Sequence, residues 1–226
     1  MRYLILIADE DEFKPLVNGL KGIMVKKDLF FNLPYAKFSV SDNEVLVLCT
    51  YMGKVNSAFA CTLALAKESF DAVFSIGYSG AVSRVLKNDI VAGESCVECD
   101  FDLSPIGYKP GEKVKGKKYI FEGDENLLAL AKNRIPELKT GRLGTGDFFL
   151  TDPVKRDWYR EMFEICAFDM ESGAAASVCH SLSVPFLAIR KISDDADDTA
   201  SSEYRESLKN TAGSFSDIVL SLVKSI

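Results

Sequence analysis

The chain has 226 residues, 47% of them hydrophobic, and its 27 basic and 33 acidic side chains give a formal net charge of -6. This acidic balance argues against a nucleic-acid-binding protein and against docking on an acidic membrane surface, because both require a basic face. The apolar runs are too short to cross a bilayer, and the N-terminus lacks the basic start and long apolar stretch of a signal peptide. We therefore expect a cytoplasmic protein that does not act at a membrane.

Buried strands and helices alternate along the first half of the chain. The apolar periodicity and the turn residues predict, in order, a strand at 3–7, a helix beginning in the acids at 9–12, a hairpin over 38–49, a helix over 53–69, a strand at 72–76 that ends in a turn at 77–80, and a strand at 89–99. The helix over 53–69 has Phe59, Leu63 and Ala66 on one apolar face.

The same alternation continues through the second half. The predicted elements are, in order, a loop over 100–116, a helix at 125–134, a strand at 140–144, a helix at 153–163, a strand at 166–170, a helix at 171–182, a strand at 185–192 and a long amphipathic helix over 201–225. No linker, repeat or low-complexity stretch interrupts the pattern. We therefore expect one α/β domain over residues 1–226, with a largely parallel or mixed sheet.

Charged residues follow several predicted strands, at the edge where α/β sheets bind their ligands. Acids come directly after strands at 9–12, at Glu171 and at Asp194. Each of these acids has a simpler explanation, as a helix N-terminal acid or as part of a solvated turn. Arg190 is harder to explain in that way, because it lies inside an otherwise apolar strand. A charge there needs a partner, and the acids at neighbouring strand ends are the obvious candidates.

Other sequence features limit the chemistry that the crevice can perform. His180 is the one histidine of the chain, which excludes a Ser-His-Asp triad and leaves proton transfer to carboxylates. Cys96 and Cys99 form a CxxC pair that lacks a second pair or nearby histidines, and this argues against a metal site. Residues 77–80 have neither the dinucleotide-binding nor the P-loop glycine spacing. These patterns predict a carboxylate-rich crevice and leave its substrate open.

A family resemblance rests on two segments taken together and in order. Met170-Glu171 within 168–175, followed by the run from Arg190 to Asp194, resembles the 5′-methylthioadenosine/S-adenosylhomocysteine nucleosidases of the purine nucleoside phosphorylase superfamily. Further matches extend over nearly the whole chain, at Glu12, 52–55, 77–80, 86–91, 107–108 and 146–149. The resemblance implies a three-layer α/β/α fold with a central mixed sheet of the nucleoside phosphorylase type, a homodimer, and no metal or organic cofactor.

The resemblance also implies a role for each matching residue in hydrolysing the N-glycosidic bond of a 5′-substituted adenosine. Glu12 matches the general base on water, and Asp194, oriented by Ser193, matches the acid that protonates purine N7. Glu171 matches the glutamate that holds the ribose hydroxyls, and Arg190 matches the arginine that positions the water and the acid pair. The other implied substrate-binding positions are Met170 against the sugar, Phe149 on the adenine, Met52, Tyr78 and Asp169 in matching segments, Tyr204 over the 5′-substituent, and Leu103, Ile106 and Tyr108 from a partner subunit.

These residue types suit the reaction. Breaking an N-glycosidic bond builds positive charge on the sugar and negative charge on the departing base. Carboxylates stabilise the first charge, and a proton on N7 neutralises the second. We expect a dry pocket to raise the pKa of Asp194 so that it keeps its proton, and Arg190 to favour the ionised form of Glu12.

Three residues depart from the pattern of the family. Asp9 lies where an apolar residue, often methionine, is usual near the ribose; Tyr78 replaces a small residue; and Asp195 adds a charge beside the implied acid. These departures leave the 5′-substituent open, with 5′-deoxyadenosine and aminodeoxyfutalosine as further candidate substrates. Two other functions are also open. A phosphorylase would need phosphate ligands near Glu12, whereas the acids at 9–12 repel phosphate. A silent nucleoside-binding relative would usually have lost one of the acids Glu12, Glu171 and Asp194, and all three are present.

Overall fold

The computed structural model describes residues 1–209 and 214–224. The strands are β1 (Arg2–Ile7), β2 (Met24–Phe30), β3 (Leu33–Val40), β4 (Asn43–Cys49), β5 (Ala72–Ala81), β6 (Ile90–Glu98), β7 (Ile120–Glu122), β8 (Lys139–Thr145), β9 (Ile165–Asp169) and β10 (Phe186–Asp194). The α-helices are α1 (Glu10–Gly19), α2 (Lys54–Lys67), α3 (Glu125–Arg134), α4 (Pro153–Phe163), α5 (Ser172–Ser181), α6 (Ala200–Lys209) and α7 (Ser214–Val223). Short 3-10 helices lie at Lys21–Ile23 and Ser104–Ile106. None of the helices in this described part has the length and apolar character needed to cross a bilayer.

The strands form a mixed sheet with the order β10-β6-β8-β9-β5-β1-β4-β3-β2, and β7 pairs with β6. β1 lies between β4 and β5 and is parallel to both. β10 is parallel to β5 and antiparallel to β6. Because β9 pairs with both β5 and β8, and β8 pairs with β6, these five strands close into a ring. The mixed α/β sheet predicted from the sequence is confirmed.

Helices cover both faces of the sheet, as the three-layer prediction requires. On one face, Phe13 of α1 and Phe215 of α7 pack against Phe38 and Phe74 of the sheet. On the other face, small residues of α2 and α5 pack against the aliphatic side chains of β1, β5 and β10. The carboxyl ends of the parallel strands β1, β5 and β10 therefore meet at one edge, between the two helical layers.

The face that α2 buries differs from its predicted apolar face. Phe59 is 53% exposed and Ala66 is also exposed. The buried residues of α2 are Ser57, Ala60, Cys61 and Ala64. Small side chains let α2 approach α5 closely, and the Sγ atoms of Cys61 and Cys179 are 3.7 Å apart across this contact. Close helix contact, and not side-chain hydrophobicity alone, decides which face of α2 is buried.

The sequence patterns do not predict β2 or β7. β2 is exposed along almost its whole length and pairs with β3 at the edge of the sheet, so it lacks the apolar alternation of a half-buried strand. β7 has only three residues. The predicted helix over 201–225 corresponds to α6 and α7, and its residues 210–213 and 225 lie outside the described residues.

Candidate active site

The acids that follow β1 have different surroundings. Asp9 is the N-cap of α1, and its Oδ1 accepts the Asp11 N–H at 2.9 Å. Glu12 lies in the same first turn, yet its side chain is only 4% exposed and reaches β5, where Oε1 accepts the Tyr78 N–H at 3.0 Å. Its Oε2 is buried and has no hydrogen-bond partner among the described residues. The helix-capping explanation therefore holds for Asp9 and fails for Glu12.

Burial decides the protonation of Glu12. It raises the pKa of Glu12 to about 8, and the neighbouring carboxylates of Glu171 and Asp9 act in the same direction. The Tyr78 N–H and the Arg190 guanidinium both lower this pKa, but they do not offset the loss of hydration. Arg190 therefore lowers the pKa of Glu12, as the sequence predicts. Its effect is smaller than that of burial, so the pKa of Glu12 stays above its ordinary value.

Residues 77–80 lie inside β5 and do not form the predicted turn after it. β10 runs parallel beside them, with Asp194 in register with Gly80. A Cβ atom at Gly77 would lie 3.1 Å from Glu12 Oε2, and one at Gly80 would lie 2.8 Å from Asp194 Oδ1. The two glycines therefore let two buried carboxylates approach the same strand from different elements.

Arg190 has the partner that its position in an apolar strand requires. Its guanidinium is buried, and Nε donates to Asp169 Oδ2 at 2.8 Å. Nη1 and Nη2 donate to the carbonyl and hydroxyl oxygens of Ser75, each at 2.9 Å. The partner is thus an acid, as predicted, but it is Asp169, the last residue of β9, and not one of the acids predicted to follow the strands.

Asp169 fixes the segment that carries Glu171. Its Oδ1 accepts the hydroxyl of Thr145 at 2.8 Å and the N–H groups of Glu171 and Ser172 at 3.0 Å each. Its Oδ2 accepts the Ser172 hydroxyl in addition to Arg190. Both oxygens of Asp169 thus accept hydrogen bonds from neighbouring protein groups. The carboxylate holds Arg190 and the backbone of Glu171 in place at the cavity wall.

Glu171 lies at the N-terminus of α5, directly after Met170. Its Oε1 accepts the Gly53 N–H at the start of α2, at 2.9 Å. Burial and the nearby Asp169 raise the pKa of Glu171 to about 7, against the lowering effects of Arg190 and of the Gly53 N–H. Glu12 and Glu171 therefore both titrate close to neutral pH.

Asp194 is held at the end of β10 by two donors. The Ser193 hydroxyl donates to Oδ2 at 2.6 Å, and the Ala196 N–H donates to Oδ1 at 3.0 Å. Burial raises the pKa of Asp194, although both hydrogen bonds favour its charged form. Ser193 thus contacts the carboxyl group that the sequence analysis expects it to orient.

Aromatic side chains form the rim. Phe149 is 43% exposed, and its ring centroid is 5.6 Å from that of Tyr204. The Tyr204 hydroxyl donates to Asp9 Oδ2 at 3.0 Å. Burial, together with the charges of Glu12 and Asp9, raises the pKa of Tyr204, so this hydroxyl keeps its proton. The exposed face of Phe149 is available to stack on a planar ligand.

These groups surround a cavity of about 770 Å³, including the open solvent at its mouth. The predicted site residues that line it are Glu12, Met52, Tyr78, Phe149, Asp169, Met170, Glu171, Arg190, Ser193, Asp194 and Tyr204. Leu103, Ile106 and Tyr108 are not among the described residues that line it. Ser75 and Ser79 line it without having been predicted. The signal for Ser75 is a polar residue within the apolar strand Ala72–Ala81.

No group of His, Cys, Asp and Glu suited to a metal ion occurs in ranges 1–209 and 214–224. Cys96 and Cys99 are both buried. Burial raises the pKa of each of these thiols, which disfavours the thiolate that a metal would require.

Comparison with known proteins places the chain in a family. The family model described as the phosphorylase superfamily matches residues 2–224. A 5′-methylthioadenosine/S-adenosylhomocysteine nucleosidase of Geobacillus sp. (strain WCH70) is 32% identical over 233 residues, covering 100% of this chain and 99% of that protein. The chain belongs to this nucleosidase family of the phosphorylase superfamily.

Solved structures agree with the nucleosidase family. A Helicobacter pylori 5′-methylthioadenosine/S-adenosylhomocysteine nucleosidase in complex with a pyrrolidinol inhibitor has a TM-score of 0.92 and 26% identity, with 99% of this chain and 97% of that chain covered. A futalosine hydrolase of H. pylori has the same TM-score, identity and coverage.

The three departures from the nucleosidase family pattern differ in where their side chains lie. Asp9 lines the cavity. The Tyr78 hydroxyl donates to the Ser207 carbonyl at 3.0 Å and its ring packs on Phe215, so the backbone N–H of Tyr78 is the group that reaches Glu12. Asp195 is exposed, and it is not among the described residues that line the cavity. Of these three residues, Asp9 is therefore the one whose charged side chain faces the space that a ligand would occupy.

Proposed function

We propose that the chain hydrolyses the N-glycosidic bond of 5′-substituted adenosines, such as 5′-methylthioadenosine, S-adenosylhomocysteine or 5′-deoxyadenosine, to adenine and the free ribose derivative. The observation that carries the proposal is the convergence of Glu12, Glu171 and Asp194 on one cavity from three separate strand ends. The nucleosidase relatives and inhibitor complexes support the substrate class.

Glu12 is the general base in this proposal. Its Oε2 is buried without a partner in the described part of the chain, so it can accept a proton from the water molecule whose oxygen bonds to C1′. A base is most effective when its pKa lies near the working pH, and the pKa of Glu12 is about 8. Oε1 stays on the Tyr78 N–H, which fixes the carboxylate in its rotamer.

Asp194 is the general acid. As the C1′–N9 bond breaks, its electron pair passes to the purine, and a proton from Asp194 to N7 neutralises the developing charge. The raised pKa of Asp194 favours the protonated form that this step requires. The Ser193 hydroxyl at 2.6 Å orients the carboxyl group toward the base.

Glu171 binds the ribose, with Met170 against the sugar. The Gly53 N–H occupies Oε1 of Glu171, and the other oxygen can accept the ribose hydroxyls. Positive charge develops on the sugar as the bond breaks, and the carboxylates of Glu12 and Glu171 stabilise it. Arg190 positions the water and the acids around it, while Asp169 holds Arg190. Phe149 stacks on the adenine, and Met52 also lines the cavity.

Water, and not phosphate, is the nucleophile in this proposal. Arg190 is the single basic residue among the described residues that line the cavity, and it is already paired with Asp169. The acids around Glu12 would repel phosphate. A silent nucleoside-binding protein is disfavoured because all three acids are retained around the same cavity.

The test is adenine release from 5′-methylthioadenosine, followed by chromatography with and without phosphate. We expect adenine and free methylthioribose in both buffers. A strict phosphate requirement with a sugar 1-phosphate as product would identify a phosphorylase. Nucleoside binding without adenine release from any of the three proposed substrates would identify a silent binder.

We further propose a cytoplasmic homodimer of one domain per chain that serves methionine salvage. Leu103, Ile106 and Tyr108 lie outside their own cavity, and Ile106 is 70% exposed, as expected if they complete the site of a partner subunit. The exposed Phe59 face of α2 also suits a subunit contact. Light scattering should give a mass near 50 kDa, twice the 24.9 kDa of one chain. The Ile106→Glu variant should shift the mass toward 24.9 kDa and reduce turnover.

A further inference from the structure

The cavity contains one carboxylate to which the proposed reaction gives no role. Asp9 lines the cavity at the N-terminus of α1. Its Oδ1 accepts the Asp11 N–H and its Oδ2 accepts the Tyr204 hydroxyl, and both donors are uncharged. The one basic residue among the described lining residues, Arg190, is paired with Asp169. Among the described lining residues, no free cation therefore compensates the negative charge of Asp9.

The position of Asp9 relates it to one part of a bound nucleoside. It lies three residues before Glu12, on the same side of the first turn of α1. In the proposed function, Glu12 faces C1′, Glu171 takes the 2′- and 3′-hydroxyls, and Phe149 takes the base. With these parts of the nucleoside assigned, the 5′-substituent is the remaining part, and we place it next to Asp9 and Tyr204.

We infer that Asp9, held by Tyr204, selects the 5′-substituent, and that the site prefers adenosines whose 5′-group carries an ammonium or another hydrogen-bond donor. This inference rests on the proposed function and adds the class of 5′-group. Each carboxylate oxygen of Asp9 can accept a further hydrogen bond beyond the one it has. An ammonium at C5′ supplies that donor, and its positive charge attracts the negative charge of Asp9.

An alkylthio group has no hydrogen to donate. When it fills this part of the cavity, it removes water from Asp9 and returns no hydrogen bond, which is costly for a charged group. A 5′-carboxylate or phosphate would face repulsion from Asp9 and from Glu12. The influence of Asp9 already extends to these neighbours, because its charge contributes to the raised pKa values of Glu12 and Tyr204.

The test compares three adenosines that differ only at C5′. They are 5′-amino-5′-deoxyadenosine, which is an ammonium at pH 7, 5′-deoxyadenosine and 5′-methylthioadenosine. With the full chain we expect kcat/KM for the amine to exceed that for 5′-deoxyadenosine about tenfold, the effect of about 1.4 kcal/mol. Asp9→Asn should reduce this ratio to near one. The fold should persist, because asparagine is as good a helix N-cap as aspartate.

Asp11→Asn is the matched control. Asp11 is an exposed acid two residues away, and it is not among the described lining residues. It makes the same change of charge in the same helical turn, and it should leave the preference for the amine intact. If Asp11→Asn lowers the ratio as much as Asp9→Asn does, general electrostatics explains the preference and the inference is wrong. Equal losses of kcat/KM on all three substrates in Asp9→Asn would also contradict it.

A binding measurement separates this inference from the proposed function. Calorimetry with Glu12→Gln, and with the double variant Glu12→Gln/Asp9→Asn, reports affinity for the amine and for 5′-deoxyadenosine without turnover. A tenfold amine preference that is lost in the double variant supports the inference, whatever the wild-type chain hydrolyses. Equal affinities in the single variant overturn it. Absence of adenine release by the wild-type chain from all three compounds would instead overturn the proposed function.

Discussion

Glu12 and Asp169 are two buried carboxylates in the wall of the same cavity, and their surroundings are opposite. Asp169 receives five donors, from Thr145, Glu171, Ser172 and Arg190. Within residues 1–209 and 214–224, Glu12 receives one donor, and its second oxygen is buried without a partner. Both side chains are at most about one-twentieth exposed, so burial alone does not distinguish them.

The difference separates a structural carboxylate from a reactive one. A fully bonded carboxylate has no free lone pair directed at a ligand, and it stabilises the arrangement of the groups around it. A buried oxygen without a partner costs stability, and it is available for a proton or a substrate atom. The comparison predicts that substitution of Glu12 affects the reaction, while substitution of Asp169 affects the folded structure.

The largest expected effect is on turnover. Glu12→Gln keeps an acceptor for the Tyr78 N–H but removes the base, and we expect kcat to fall about 10²- to 10⁴-fold. At neutral pH the free energy of unfolding should be no lower than that of wild type, because glutamine does not carry the cost of holding a proton that the unfolded chain releases, and nucleoside binding should remain. Adenine release, urea denaturation and calorimetry measure the three quantities. Asp194→Asn should behave in the same way, and full turnover in both variants would refute the assigned roles.

Asp169→Asn should instead destabilise the protein. It leaves Arg190 buried without its ion-pair partner, and loss of one member of a buried pair costs about 3–5 kcal/mol. Urea denaturation should show this loss, with wild type and Glu12→Gln for comparison. A stable Asp169→Asn variant whose only defect is in turnover would contradict the structural role of Asp169.

The pH dependence should have opposite signs for activity and for stability. The ordinary pKa of Glu12 is 4.5 and its folded value is about 8, so between these values the folded protein holds a proton that the unfolded chain releases. The free energy of unfolding should therefore decrease as pH rises from 4.5 to about 8, and then level off. Over the same window kcat/KM should increase, because the base must be ionised.

Glu12→Gln should flatten the stability profile in part. A residual slope is expected up to about pH 7, because the pKa of Glu171 is raised to about 7 and its linkage has the same sign. Denaturation midpoints at pH 5, 7 and 9 measure the slope. A rise in kcat/KM centred near pH 4.5 would contradict this prediction, because it would show that the base has an ordinary carboxylate pKa and not the raised pKa of Glu12.

The smallest effects concern two serines on the same face of β5. The Ser75 hydroxyl accepts from Arg190, so Ser75→Ala leaves a guanidinium N–H unpaired and should cost about 1–3 kcal/mol. The Ser79 hydroxyl is buried and has no partner among the described residues, so Ser79→Ala should stabilise by about 1 kcal/mol. Urea denaturation of both variants measures these changes in the free energy of unfolding. Equal decreases in the two variants would contradict the prediction that the Ser75 hydroxyl stabilises the fold and the Ser79 hydroxyl does not.

Local patterns in the sequence determined much of the molecule. The apolar runs identified β1, β5 and β10, and the acids after strands identified the edge of the sheet that holds the cavity. The charge of Arg190 inside an apolar strand predicted an acidic partner, which is Asp169. The run from Met170 to Asp194, taken in order, pointed to the nucleosidase family. These signals are visible because each one depends on residues that are close together in the chain.

Only the tertiary structure decided that Asp9 and Glu12 are the acids of the run 9–12 that line the cavity, which face of α2 is buried, and that residues 77–80 continue β5. Glu12 meets its donor Tyr78 across 66 positions of sequence, and α2 meets α5 through Cys61 and Cys179 across 118. The raised pKa of Glu12 likewise depends on burial by distant strands. Contacts of this kind arise when elements that are distant in the chain pack together, and no local pattern of residues specifies them.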